Sequence, residues 1–237
     1  MKSDVISFIK ETEKSYGMMR AKPVLATLIS KYDFDNVLDI GCGPKKHATV
    51  FEKFNKKVTT LDMGSQYNPD ILGDFLHLDN LIEDNSYDCI WASHVLEHQP
   101  NTADFLKKIK QKLKNNGILA ITVPPLKHQI VGGHVSLWNM GLIFYNLVTV
   151  GFDCKDALGL YRDYDISVII RKQDIKWDNK KIREMNLNNS TVSDGILTAN
   201  GGDFYKLKQY FPKEIIWHKH GNDEAFDGNL QMIGKWH

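Results

Sequence analysis

The sequence predicts an α/β fold in which a doubly wound, mostly parallel seven-stranded sheet carries an antiparallel hairpin at its edge. Three observations support this prediction. Short apolar runs alternate with helix-like segments between residues 35 and 125, which is the order of parallel β-α units. The first run ends in glycines, in the segment VLDIGCGP. Residues 155–172 have the pattern of two strands joined by a tight turn, which predicts the hairpin.

Five parallel strands are predicted from apolar runs, which occur in the segments NVLDIGCGP, KKVTTLDMG, DILGDFLHLD, SYDCIWAS and GILAITVPP. Apolar residues recur at helical spacing in residues 4–31, 102–117 and 137–150, so we expect helices there.

Three segments are expected along the chain. Residues 1–34 would form an N-terminal helical segment, and residues 35–173 the ligand-binding core. Residues 174–237 are polar and rich in turn-forming residues, so we expect a C-terminal extension there. It would serve as a lid, a substrate loop or a dimer arm.

Composition excludes several classes of protein. The formal net charge is +1, with 42% hydrophobic and 25% charged residues, so no strong field favours nucleic acid or acidic lipid as a partner. The three cysteines are widely spaced, which predicts reduced thiols rather than a disulfide framework. The most apolar stretch, residues 137–152, is too short and too polar to span a bilayer. We therefore expect a cytoplasmic protein with no nucleic-acid or membrane partner; a homodimer is compatible with the sequence.

Gly41 and Gly43 occur where a buried strand should turn into a helix. Glycine there lets the backbone approach a ligand closely, and the following helix N-terminus offers N–H groups to an anion. The alternative is a simple tight turn. Lys46 replaces the third glycine of the dinucleotide fingerprint, which favours a smaller anionic group over a pyrophosphate. Asp62 ends the second strand, where an acid can bind both hydroxyls of a ribose.

The segment SHVLEH, residues 93–98, has two incompatible interpretations. His94, Glu97 and His98 have the H-x-x-E-H spacing of an inverted zinc protease. The same residues directly follow the fourth predicted strand, where they would instead form the wall of a nucleotide pocket. This position favours the second interpretation and predicts no metal.

Five segments, VLDIGCGP, TTLDMG, LGDFLHL, YDCIWASHVLEH and NNGILAITVPP, resemble the successive motifs of class I S-adenosylmethionine-dependent methyltransferases. The resemblance covers roughly residues 35–172. It implies the Rossmann-like methyltransferase fold, S-adenosylmethionine as the cofactor and methyl transfer as the activity. The segment GPKKH departs from the family where many members carry a further glycine.

The resemblance also implies the cofactor contacts, which would come from Asp39, Gly41, Cys42, Gly43, Asp62, Met63, Asp74, Phe75, Ser93 and His94. In the family the glycine turn passes under the methionine part of the cofactor, and Asp39 helps place its ammonium. Asp62 would take the ribose hydroxyls, with Met63 near the adenine. Asp74 and Phe75 would hold the adenine edge, and Ser93 and His94 would line the wall beside the sulfonium.

The loop after the fifth strand supplies the candidate catalytic base, His128 or His134, because it leaves the sheet at its ligand-binding edge. Alternatively, His134 and Ser136 cap the helix that begins near Leu137, and Trp138 belongs to the core. The candidate substrate contacts are Tyr16, His94, Trp138 and Asn139.

The leading hypothesis for the function is methyl transfer to a hydroxyl or amine of a polar small molecule. A sugar or glycan precursor would suit the loop that contains histidine, tryptophan and asparagine. Two other functions are considered: a cofactor-binding domain that serves as a partner or regulatory subunit without catalysis, and a zinc hydrolase that uses His94 and His98.

Overall fold

The computed structural model describes residues 2–127, 129–162, 164–176, 190–193, 196–199, 207 and 209–213. Its helices are α1 (Lys2–Tyr16), α2 (Lys22–Lys31), α3 (Lys46–Lys53), α4 (Thr102–Lys112) and α5 (Met140–Thr149). Its strands are β1 (Asn36–Ile40), β2 (Lys57–Asp62), β3 (Ile71–Leu72), β4 (Tyr87–Ser93), β5 (Leu113–Val123), β6 (Leu158–Arg162), β7 (Asp165–Arg171), β8 (Ser190–Ser193) and β9 (Ile196–Ala199). None of the helices within these residues is long and apolar enough to cross a membrane.

Strands β1 to β7 form one sheet in the order β3-β2-β1-β4-β5-β7-β6. The first five are parallel, and β7 runs antiparallel between β5 and β6. The predicted doubly wound sheet with an antiparallel hairpin at its edge is therefore confirmed. Strands β8 and β9 form a separate two-stranded sheet.

The central strands are buried on both faces because helices cover both sides of the sheet. On β4, Ile90 and Ala92 belong to the core on one side, which α4 and α5 cover. Cys89 and Trp91 belong to the core on the other side, which α1, α2 and α3 cover. This alternation follows from the period of two along a strand.

Several elements differ in length from their predictions. The helix predicted over 102–117 is α4, which ends at Lys112, and the strand predicted from Gly117 is β5, which already begins at Leu113. The third strand comprises only Ile71–Leu72. Gly73 then turns the backbone, with φ at 145°, and Asp74 caps a short 3-10 helix over Phe75–His77. The helix predicted over 137–150 is α5, which begins later, at Met140, because the Asn139 side chain accepts a hydrogen bond from the N–H of Leu142 at 2.8 Å.

Part of the predicted C-terminal extension packs on the core. Leu207, Tyr210 and Phe211 are buried in the cluster that α4 and α5 cover, and the carbonyl of Tyr210 accepts a hydrogen bond from the N–H of Cys154 at 2.9 Å. The division into residues 1–34, 35–173 and 174–237 stays a prediction.

Candidate active site

The strand order reverses at β1, because β2 lies on one side of it and β4 on the other. In open α/β sheets, ligands bind at the carboxyl ends of the strands beside such a switch point. The glycine turn occupies this position, since Gly41 directly follows β1 and its N–H donates to the carbonyl of Leu61 at 2.8 Å.

Gly41 and Gly43 both adopt the left-handed backbone conformation, with φ at 71° and 49°. Gly41 is also required by packing, because a Cβ there would lie 2.4 Å from Cγ2 of Val95. A Cβ on Gly43 would meet no described atom within 4 Å, so that side of the turn is open. The turn can therefore accept a ligand directly against its backbone.

Asp62, at the end of β2, holds the glycine turn in place. One carboxylate oxygen accepts from the N–H of Gly43 at 2.8 Å, and the other from the N–H of Gly64 at 2.7 Å. Each oxygen keeps a further lone pair, so these bonds leave capacity for the ribose hydroxyls. Cys42 lies in the same turn, where burial and the charges of Asp39 and Asp62 raise the pKa of its thiol to about 12.

Asp39 is 1% exposed, and among the described residues its Oδ2 has no hydrogen-bond partner. Burial, together with the nearby charge of Asp62, raises the pKa of Asp39 to about 7. The Ser93 hydroxyl at the end of β4 is likewise buried without a partner in the described part of the chain. Buried polar atoms are normally satisfied, so a polar, cationic ligand at this edge of the sheet would supply the missing partners. The ammonium and sulfonium of S-adenosylmethionine have these properties.

The residues predicted for the adenine end follow β2 and β3. Met63 is 72% exposed. One oxygen of Asp74 accepts from the N–H of Leu76 at 3.0 Å, and the other lies 3.6 Å from Nε2 of His77. The Phe75 side chain is buried in the core, so its backbone is the part that remains available for the predicted contact.

Several hydrogen bonds hold the segment between α1 and α2 at the edge of the sheet where the parallel strands end. The Lys46 ammonium donates to the carbonyl of Met18 at 3.0 Å, and a ring nitrogen of His47 lies 3.1 Å from the carbonyl oxygen of Arg20. The N–H of Ala21 donates to Oδ2 of Asp165 at 2.8 Å. Lys46 therefore anchors this segment.

His94, directly after β4, lies between two buried carboxylates. Its Nδ1 is 3.2 Å from Oε1 of Glu97. Its Nε2 is 3.2 Å from Oδ1 of Asp165, an ion-pair distance without hydrogen-bond alignment. Burial alone would lower the pKa of His94, but the carboxylates of Asp165 and Glu97 outweigh it and raise the pKa to about 9. His94 is therefore protonated at neutral pH and is unsuited to act as a base.

The zinc hydrolase hypothesis requires His94 as a ligand inside an α-helix. Instead, His94 faces carboxylates with both ring nitrogens, and residues Leu96–His98 form a short 3-10 helix. This geometry argues against His94 and His98 as a zinc pair.

A different group could hold a cation, because ligand atoms of Glu97, His98 and His134 all lie within 4.8 Å of one another. However, the carboxylate of Glu97 already accompanies protonated His94. We therefore expect no metal at this position. Nδ1 of His98 lies 2.7 Å from the carbonyl oxygen of Gly133, so His98 braces the loop after β5.

A cleft of about 290 Å³ opens beside His94. Arg20, Lys127, His134 and Trp138 contribute to its lining. The cleft joins the end of β4 to the loop after β5, so an acceptor bound there would lie next to the predicted position of the sulfonium.

Comparison with known proteins identifies the family. The model described as "Methyltransferase domain" matches residues 11–149, which is more than half of the chain. The chain belongs to this methyltransferase family. With its fold, it is a class I S-adenosylmethionine-dependent methyltransferase. Among curated proteins, no significant sequence match to this methyltransferase was found.

Solved structures of methyltransferases share its fold. One from Archaeoglobus fulgidus, described as a SAM-dependent methyltransferase, has a TM-score of 0.54 at 16% identity, over 68% of this chain and 97% of that one. The 1,6-didemethyltoxoflavin-N1-methyltransferase of Burkholderia thailandensis, solved with S-adenosylhomocysteine, has a TM-score of 0.55 at 18% identity, over 73% and 87%. Phosphoethanolamine N-methyltransferase 2 of Haemonchus contortus has a TM-score of 0.51 at 17% identity, over 65% and 43%.

Of the predicted substrate contacts, His94 and Trp138 line the cleft, as does the candidate base His134. Trp138 is only 3% exposed and belongs to the core, as the alternative predicted. Tyr16 ends α1 with its side chain 49% exposed and does not belong to the described lining. Asn139 caps α5, so the alternative that His134 and Ser136 cap this helix is wrong. Ser136 instead accepts a hydrogen bond from Nε1 of Trp138 at 2.9 Å. The other candidate base, His128, lies outside the described residues.

Sequence reasoning missed Asp165, which contacts both His94 and the backbone of Ala21. Asp165 is the first residue of β7, and β7 is antiparallel to β5. The start of an antiparallel strand lies at the edge where its parallel neighbours end. The predicted hairpin therefore indicated that Asp165 lies at the edge of the sheet where ligands bind.

Proposed function

We propose that this methyltransferase transfers a methyl group to a hydroxyl or amine of a polar small molecule. The observation that carries the proposal is the cleft of about 290 Å³ beside His94. Small-molecule sites typically have volumes of roughly 300–1,000 Å³, so a cleft just below this range suits a compound of about one ring. A sugar or glycan precursor is our preferred acceptor, since Ser136 and His134 offer polar groups beside the Trp138 ring.

S-adenosylmethionine supplies the methyl group as an electrophile on its sulfonium. The residues of the cleft would then orient the acceptor atom in line with the methyl group and exclude water. His134 is the proposed base that takes the proton from a hydroxyl acceptor. The N–H of Val135 donates to the carbonyl of Glu97 at 2.9 Å, and this bond holds the backbone next to His134.

Protonated His94 has a different proposed role. Its ring connects the end of β4 with Asp165, whose carboxylate also binds the backbone of Ala21. We expect His94 to fix the wall of the cleft rather than to accept a proton.

The test is a screen of polar hydroxyl and amine compounds with S-adenosylmethionine labelled in its methyl group. We expect transfer to at least one compound, and a decrease in kcat of roughly 10²-fold or more in His134→Gln, the usual range for a lost general base. Affinity for S-adenosylhomocysteine and the melting temperature should stay unchanged in this variant. His128→Gln is the parallel variant, and normal rates in both would refute a histidine base.

If S-adenosylmethionine binds but no compound in the screen is methylated, the result would favour the alternative of a cofactor-binding partner domain without catalysis.

A further inference from the structure

Two cations flank one aromatic ring at the mouth of the cleft. The guanidinium of Arg20 lies 5.0 Å from the centre of the Tyr164 ring, and the ammonium of Lys127 lies 4.8 Å from the same centre. All three residues line the cleft. They come from three separate parts of the chain: the segment before α2, the loop after β5 and the hairpin between β6 and β7.

Neither cation has a carboxylate partner within the described residues. Elsewhere, lysines of this chain pair with acids at short distances, for example Lys112 with Asp84 at 2.7 Å and Lys114 with Asp88 at 2.8 Å. Arg20 and Lys127 are exposed, and no acidic side chain belongs to the described lining of the cleft. Two like charges close to one ring repel each other, and an anion bound at this end of the cleft would relieve this repulsion.

The rest of the cleft lining is largely uncharged. Pro124, Pro125, Val131 and Leu137 give it apolar surface. The positive ring of His94 is compensated by Glu97 and Asp165, so it adds little net charge. The cleft therefore combines two exposed cations with apolar walls, which suits a ring compound that carries one anionic group.

We propose that the methyl acceptor carries a carboxylate or a phosphate, and that Arg20 and Lys127 bind this group at the mouth of the cleft. The inference rests on the proposed function and narrows its substrate class. Arg20 can bind either anion through two parallel N–H donors, and Lys127 contributes a point charge.

A purely structural role for the two cations is the competing explanation. In that case they would only join the N-terminal segment and the loop after β5 through Tyr164. Loss of that contact would lower the melting temperature but would not change the ranking of charged and neutral ligands. Ligand charge is therefore the readout that separates the two roles.

The experiment measures calorimetric binding of phenyl phosphate, benzoate and neutral benzamide to the protein saturated with S-adenosylhomocysteine. We expect an anionic probe to bind at least about ten-fold more tightly than benzamide, and this preference to decrease as salt increases. The stronger of the two anionic probes indicates whether the natural group is a phosphate or a carboxylate.

Four variants complete the design. The neutral double variant, Arg20→Gln with Lys127→Gln, should abolish the preference for anionic probes over benzamide. The charge-conserving double variant, Arg20→Lys with Lys127→Arg, should keep this preference. The matched control is Lys10→Gln with Lys31→Gln, which neutralises two exposed lysines on α1 and α2 and should also keep it. Tyr164→Phe retains the aromatic ring and should keep it as well.

Equal binding of all probes, binding of none, or a preference that survives the double glutamine variant would overturn the inference. If S-adenosylhomocysteine itself fails to bind, the proposed function falls. If it binds while the charge preference is absent, only this inference falls.

Discussion

Replacement of Gly41 by alanine tests whether the glycine turn has the strained, tightly packed geometry that the cofactor site requires. At a φ of 71°, an alanine costs roughly 1–2 kcal/mol because the left-handed conformation crowds its Cβ. That Cβ would also lie 2.4 Å from Cγ2 of Val95, so this side chain or the turn must move. Overpacking of this kind typically costs roughly 1–3 kcal/mol.

Together these costs predict that Gly41→Ala lowers the free energy of unfolding by roughly 2–5 kcal/mol. Gly43→Ala is the matched control. It has a φ of 49° and open space around the new Cβ, so only the conformational cost should apply. For a chain of this size, 1 kcal/mol shifts the melting temperature by roughly 2–4 °C.

Urea unfolding of both variants, and of each combined with Val95→Ala, separates the two costs. Removing the Val95 methyl groups should recover roughly 1 kcal/mol or more in the Gly41 variant and nothing in the Gly43 variant. The reasoning is refuted if Gly41→Ala is no less stable than Gly43→Ala and shows no coupling to Val95→Ala.

Four further predictions concern His94, the cap of α5 and metal ions. Asp165→Asn removes a carboxylate that favours the charged form of His94, so the pKa of His94 should fall below its value of about 9. An NMR titration of the His94 ring measures this change, and an unchanged pKa would contradict the assignment. The folded-state pKa of His94 lies above the ordinary 6.5, so the stability that His94 provides should be full below about pH 6.5 and be lost as the pH rises through about 9. The free energies of unfolding of wild type and His94→Gln should therefore differ most at low pH. Asn139→Ala removes the side chain that caps α5 and should lower the free energy of unfolding by about 1 kcal/mol, whereas Asn139→Asp keeps a capping oxygen and should be nearly neutral. EDTA should leave the methyl-transfer rate unchanged, and a loss restored by zinc would instead identify Glu97, His98 and His134 as a metal site.

The sheet could be predicted from sequence because its signals are local. Each parallel strand is an apolar run, four of the five end in or next to glycine, proline or an acid, and helices with one apolar face separate several of them. The length of β3 could not be predicted from its apolar run, because the positive φ of Gly73 and the cap formed by Asp74 end the strand after Leu72.

The site was less predictable because its contacts join distant parts of the chain. Ala21 and Asp165 are 144 residues apart, and nothing in the spacing of either segment indicates the bond between them. The raised pKa of His94 depends on that same carboxylate, so its charge could not be inferred from SHVLEH alone. By contrast, the positions of Gly41 and Asp62 follow directly from the ends of β1 and β2.

Calorimetric titration with S-adenosylmethionine tests the cofactor site most directly, with wild type compared to Asp39→Asn. Above about pH 7, where Asp39 is ionised, the variant removes a buried charge whose Oδ2 has no partner among the described residues, so its fold should be at least as stable as wild type. We predict binding at one site per chain and an affinity at least about ten-fold lower in Asp39→Asn, because the ammonium of the cofactor loses its counter-charge. No binding to wild type, or equal affinity in the variant, would contradict the account.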